Sequence, residues 1–141
     1  MTIAKILLVD DEKPFVDTLM KRLNKRDVEI VAAYNGQEAL DHLSEDESIE
    51  VVILDIKMPG LSGLEVAKKI TVDCIVVFIT AYDEFAIEAF ENEAIDYLLK
   101  PVTDERLAKT INRLKKQLAD PPQSSTRQLT TTIERLLARL K

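Results

Sequence analysis

The sequence predicts an α/β domain: a doubly wound, five-stranded parallel sheet with an extra helix at the C-terminus. Three observations lead there. Five short runs are rich in Val, Ile and Leu, and four of them are almost continuously apolar. Strands buried on both faces read this way, and such strands belong to parallel sheets. Amphipathic helical patterns separate the runs, so strand and helix alternate along the chain. The length, 141 residues, suits one domain with a short appendage and can bury a core without covalent staples. For five strands the commonest open order is 2-1-3-4-5. Ligands of such sheets sit at the carboxyl ends of the strands, near the switch point between strands 1 and 3.

The first run covers residues 5–9 (KILLV). Over 14–25, Phe15, Val16, Leu19, Met20 and Leu23 recur at helical spacing, and Pro14 is tolerated in a first turn. The second run, 29–33 (EIVAA), is milder and predicts a strand nearer an edge. A short helix over 36–43 turns Ala39, Leu40 and Leu43 inward. The third run is 51–54 (VVIL). Leu64, Val66, Ala67 and Ile70 mark a helix over 63–70, and the connection over 71–74 looks short enough to shift it slightly. The fourth run is 75–79 (IVVFI). Phe85, Ala86, Ala89 and Phe90 mark a helix over 84–91, and the fifth run is 95–99 (IDYLL). The longest helix covers 103–119, with Leu107, Ile111, Leu114 and Leu118 on one stripe. Thr103 can cap it, and Asp104 and Glu105 suit the positive end of its dipole.

These elements define a domain over 1–119. Residues 120–128 (DPPQSSTRQ) read as a linker. Residues 129–141 read as an amphipathic helix. Its Leu129, Ile133, Leu136 and Leu140 follow the alternating steps of a coiled-coil seam. A helix this short is marginal alone in water. The start of a following domain, a helix folded back on the first domain, and a dimer seam all stay open for it.

Composition removes several function classes. Nineteen basic against 25 acidic residues give a net charge of −6. Residues 120–141 carry a balance of +2, which leaves −8 on residues 1–119. That argues against this stretch gripping nucleic acid by itself. One cysteine, Cys74, excludes an intramolecular disulfide and fits a reducing cytosol; it reads as a small filler before the fourth run. One histidine, His42, read as a solvated position on the second helix, excludes most histidine catalysis and most histidine-rich metal sites. The N-terminal residues are not patterned as a signal peptide, and no stretch approaches the roughly 18 apolar residues of a membrane span.

The chemistry gathers at the ends of the runs. Asp10 and Asp11 follow the first, Asp55 the third, Thr80 the fourth, and Lys100 and Pro101 the fifth. In a parallel sheet all of these fall on the carboxyl edge. Acids at strand ends are common, because chains leave strands into polar loops, so the Asp10–Asp11 pair alone carries little. The weight lies in the combination. Three close carboxylates repel unless one keeps a proton or a cation sits among them. An all-oxygen acidic nest suits Mg2+. The same nest with a lysine suits phosphoryl transfer to a carboxylate.

With these residues in place, the chain resembles the receiver domain of two-component response regulators, a flavodoxin-like fold. The resemblance rests on Ile6-Leu7-Leu8-Val9-Asp10-Asp11-Glu12, Asp55-Ile56-Lys57-Met58-Pro59-Gly60-Leu61-Ser62-Gly63, Thr80-Ala81 and Asp96-Tyr97-Leu98-Leu99-Lys100-Pro101, and it covers about residues 3–119. It implies that Asp55 is the phosphoacceptor. Asp11 would ligate Mg2+ directly, Asp10 through water, and Lys57 by its backbone carbonyl. Lys100 would contact the phosphoryl group. Thr80 would bond to it and move toward it, with Tyr97 turning inward as the aromatic switch. Ala81 would leave the site open, and the Lys100–Pro101 bond would be cis. Lys57 and Tyr82, two residues past Asp55 and Thr80, are placed to shield the phosphoryl group from water.

The implied partner is a cognate sensor histidine kinase, with a homodimer expected on activation. The helix over 84–91, with Phe85, Ile87, Phe90, Glu84, Glu88 and Glu91, is the expected recognition face together with the fifth strand. The stretches 80–90 and 94–101 look most like receivers of LytTR-type regulators (the LytR/AlgR kind). In that family a linker leads to a β-rich DNA-binding domain, which this sequence does not include. DNA would be contacted only through that domain. The expected protein is cytoplasmic, without membrane association, and not a conventional enzyme. It would catalyse only its own phosphorylation and dephosphorylation. A single-domain regulator acting by protein–protein contact is the alternative. A haloacid-dehalogenase-type phosphatase would want Asp-x-Asp after the first run, and Asp10-Asp11-Glu12 lacks that spacing. A flavin carrier would want a Ser/Thr/Gly-rich loop there.

Overall fold

The computed structural model describes residues 2–81 and 96–119. Within them the order is β1 (Ala4–Val9), α1 (Lys13–Asn24), β2 (Val28–Ala33), α2 (Gly36–Glu45), β3 (Val51–Asp55), α3 (Gly63–Lys69), β4 (Ile75–Thr80), β5 (Tyr97–Leu99) and α4 (Asp104–Ala119). The strands form one sheet in the order β2-β1-β3-β4-β5, and every pair is parallel. This is the expected topology. The helix expected over 84–91 with its recognition face, Tyr82, Ile95, the linker over 120–128 and the helix over 129–141 lie outside the described residues.

The continuous apolar runs have a simple cause. Successive side chains of a strand point to opposite faces of the sheet. On one face Leu7, Val9, Val52, Leu54 and Phe78 pack with Ala39 and Leu43 of α2 and Leu64 and Val66 of α3. On the other, Ile6, Leu8, Ile53, Val77 and Ile79 pack with Val16, Leu19 and Leu23 of α1 and Leu107, Ile111 and Leu114 of α4. A strand covered on both sides has no polar face to show. β2 is one of the two outer strands, with Glu29 exposed and Ile30, Val31 and Ala32 only partly buried, which accounts for its milder sequence. Cys74 is buried, and burial together with the nearby charge of Asp73 pushes its thiol up to about 12, so it is an inert filler. His42, expected to be solvated, is half-buried on α2. Among the described residues no helix is long and apolar enough to cross a membrane.

The helix starts are set by local chemistry. Asn35 Oδ1 accepts from the Glu38 N–H at 2.9 Å and so caps α2, which runs two residues past its expected end. Ser62 and Glu65 form a reciprocal capping box at α3. Thr103 Oγ1 accepts from the Arg106 N–H at 3.2 Å, as its place before α4 predicts. At α1 the N-cap residue is Glu12, whose side chain makes no capping bond. β3 and β4 each run one residue farther than the apolar runs, so Asp55 and Thr80 are the last residues of their strands.

α3 lies against the end of β3. A Cβ on Gly63 would stand 2.2 Å from the Asp55 carbonyl oxygen, and the Gly63 N–H donates to the Ile56 carbonyl at 2.9 Å. The glycine is required by close backbone approach, and what it approaches is the strand end that carries Asp55. Gly63→Ala is therefore expected to destabilise the protein by about 2–3 kcal/mol. A lower urea midpoint with an unchanged slope is the result that checks it.

Candidate functional site

The carboxyl edge of the sheet is stitched beyond the strands by backbone hydrogen bonds. The Asp10 N–H donates to Ala33 O at 3.1 Å, the Ile56 N–H to Ile79 O at 2.9 Å, and the Lys100 N–H to Thr80 O at 2.8 Å. These bonds hold the residues just past the strands in register. They bring Asp10, Asp55, Thr80 and Lys100 to one edge, as the sequence predicts. Asp10, Asp55 and Thr80 are buried, whereas Asp11 is exposed. The Lys100–Pro101 peptide is cis.

Asp10, Asp11 and Asp55 each offer a carboxylate oxygen, and the three atoms lie within 4.8 Å of one another. Lys100 Nζ lies 2.7 Å from Asp10 Oδ2, 2.8 Å from Glu12 Oε1 and 3.8 Å from Asp55 Oδ2. The Phe15 ring centroid is 4.4 Å from the same nitrogen. Asp10 Oδ1 accepts from the Glu12 N–H at 3.0 Å. Asp10 Oδ2 is fully buried and, among the described residues, has the Lys100 ammonium as an ion-pair neighbour but no well-directed hydrogen bond.

Burial and then the neighbouring Asp10 charge push Asp55 up to about 7, against the pull of Lys100. Burial draws the Lys100 ammonium down, but its pairs with Asp10 and Glu12 outweigh that and its pKa is raised. The nest is short of positive charge. A clustered, all-oxygen, part-orphaned donor set is what a hard divalent cation fits, and Mg2+ is therefore compatible with the residues present.

Lys57 is exposed two positions past Asp55, and Ala81 is exposed just past β4. Tyr97 is half-buried, with the Arg106 guanidinium 5.4 Å from its ring centroid. Arg106 also donates to Tyr97 O at 2.7 Å and to the buried Asp96 carboxylate, which Arg113 reaches at 2.9 Å. Sequence reasoning gave no role to Glu12, Phe15 or the Asp96 ion pairs. Phe15 reads as core, because helical spacing does not reveal which apolar residue faces a distant lysine.

The family model for the response regulator receiver domain matches residues 6–112. The chain belongs to the response regulator receiver family. This receiver is 46% identical over 118 residues to an uncharacterized response regulatory protein of Yersinia pestis, covering 81% of this chain and 49% of that protein. It is 40% identical over 121 residues to the sensory transduction protein LytT of Oceanobacillus iheyensis, again covering 81% of this chain and 49% of the relative. The chain thus spans about half the length of these curated relatives. Among solved structures it resembles the response regulator protein TrrA of Thermotoga maritima, crystallised in complex with Mg(2+)-BeF. The TM-score is 0.69 at 35% identity, covering 79% of this chain and 98% of that one.

The receiver's acid cluster opposes its own fold. Burial and the Asp10 charge push Asp55 from its ordinary 3.8 up to about 7 in the folded protein. Well below pH 3.8 both states hold the proton. As pH rises toward 7 the unfolded chain gives it up first, and folding is increasingly penalised. Asp55→Asn is therefore expected to stabilise the protein by roughly 2–4 kcal/mol at pH 8 in EDTA, and by almost nothing at pH 4. Urea melts at the two pH values check this, and the same gain at pH 4 would contradict it.

Proposed function

We propose that this receiver accepts a phosphoryl group on Asp55 from the phosphohistidine of a partner sensor kinase. The observation that carries the proposal is the placement of Lys100 Nζ 3.8 Å from Asp55 Oδ2, inside a cleft that also holds Asp10 and Asp11. One Asp55 carboxylate oxygen attacks phosphorus in line. A P–O bond forms as the P–N bond to the imidazole breaks, and the imidazole leaves with the bonding electron pair. Lys100 neutralises charge on the equatorial oxygens. Asp11, Asp55, the Lys57 carbonyl and, through water, Asp10 would hold Mg2+, which would supply further charge neutralisation and keep Asp55 ionised. Thr80, at the end of the strand beside β3, donates its hydroxyl to the new phosphoryl oxygens. Tyr97, on the next strand, follows Thr80 as the aromatic switch, and residues 84–91 with β5 carry the change to a partner.

The output we infer is transcriptional, through a LytTR-type DNA-binding domain joined by the linker over 120–128. Support comes from the 40% identity to LytT and from the coverage of only 49% of that protein's length.

With acetyl phosphate and Mg2+ the full chain is expected to gain one phosphoryl group on the peptide containing Asp55. Asp55→Asn should abolish the gain, and Lys100→Met should slow it on the order of 100-fold. Intact-mass and peptide mass spectrometry read both outcomes. Phosphorylation of the same peptide in Asp55→Asn would mean another acceptor.

A further inference from the structure

We propose that Glu12 is a positioning residue for Lys100: it receives the ammonium when a divalent cation claims Asp10, and so favours loading of the cleft. The inference rests on the Mg2+-dependent role proposed above and adds a residue to it. Lys100 Nζ is shared between Asp10 Oδ2 at 2.7 Å and Glu12 Oε1 at 2.8 Å. Asp10 Oδ1 is engaged by the Glu12 N–H, which leaves Oδ2 as the atom that the ammonium and the cation's bridging water contest. Two cations gathered around one carboxylate repel, even with a water between one of them and the oxygen, so loading requires Lys100 to loosen its hold on Asp10.

An ammonium released there has little water to turn to, since the Lys100 side chain is 11% exposed. Leaving it unpaired in the cleft is costly. Glu12 removes that difficulty, because its carboxylate is already in contact and lies outside the three-aspartate cluster. The Phe15 ring, its centroid 4.4 Å from the same nitrogen, also attracts the ammonium, so a short shift keeps it in favourable contact. Two local facts fit this role. Glu12 occupies the N-cap of α1 yet makes no capping bond, so its side chain is free for Lys100. Its 62% exposure also puts it at the cleft mouth, where it can hold the ammonium without entering the metal cluster.

The test is a double-mutant cycle on Mg2+ affinity, with no phosphodonor present. Wild type, Glu12→Gln, Lys100→Met and the double variant are titrated with MgCl2, and amide NMR shifts around Asp10 and Asp55 are followed. Glu12→Gln is expected to raise the Mg2+ Kd about threefold to tenfold in the wild-type background and less than about twofold in the Lys100→Met background. Lys100→Met alone should tighten Mg2+ binding. Equal weakening in both backgrounds would mean that Glu12 acts as plain negative charge, and no weakening in wild type would mean that it does nothing; either overturns the proposal. If wild type takes no Mg2+ at these residues, the Mg2+-dependent role falls too. If wild type binds Mg2+ and is phosphorylated on Asp55 but the cycle is additive, only the role of Glu12 falls.

Discussion

Neighbouring parallel strands in register force two buried carboxylates to face each other. Val9 of β1 pairs with Leu54 of β3, so the next residue on each strand, Asp10 and Asp55, end up side by side at the carboxyl edge. Both are almost fully buried. Much of the surrounding architecture can be understood as an answer to that juxtaposition. Lys100 comes in from the end of β5, held by its backbone bond to Thr80. The start of α1 supplies Glu12 and Phe15 to the ammonium. α3 presses on the β3 end through Gly63 and keeps the Asp55 backbone from drifting away. Burial first, and the Asp10 charge second, still push Asp55 up to about 7 against the pull of Lys100.

The fold was legible because burial on both faces leaves its mark residue by residue. Ile53 and Leu54 point to opposite cores and are both apolar, whereas Glu29 marks an outer strand. The principal site residues were legible for a related reason. A parallel sheet sends all its strand ends one way, so Asp10, Asp55, Thr80 and Lys100 had to share an edge. Glu12 and Phe15 were not legible in this sense. Their contact with Lys100 joins residues more than 80 positions apart in sequence, and the separation for Glu12 is 88. Such a meeting leaves no local pattern. The Ser62–Glu65 box is different, since its spacing is visible in the sequence and a closer look at helix starts would have found it.

A second charge system ties the sheet to the last helix. Asp96 is buried immediately before β5 and is held by Arg106 and Arg113 of α4, while its own carboxylate accepts the Tyr97 N–H at 2.8 Å. Arg106 then spans to Tyr97 O and to the face of the Tyr97 ring. A buried carboxylate with two guanidinium partners is weak evidence for stability, since desolvation offsets much of the attraction. Its clearer effect is geometric. It fixes where β5 begins relative to α4, and with it the backbone from which both Tyr97 and Lys100 project.

The uncapped start of α1 has a consequence for anyone seeking a sturdier version of this domain. Position 12 is where a serine or asparagine would ordinarily be installed to strengthen a helix, a gain of about 1 kcal/mol. Here that familiar improvement would remove the carboxylate that Lys100 leans on. Thermal robustness and tuning of the acidic cleft therefore compete for one side chain. A selection for heat tolerance alone would drift toward the cap, and a selection for the role proposed for Glu12 would hold the glutamate in place.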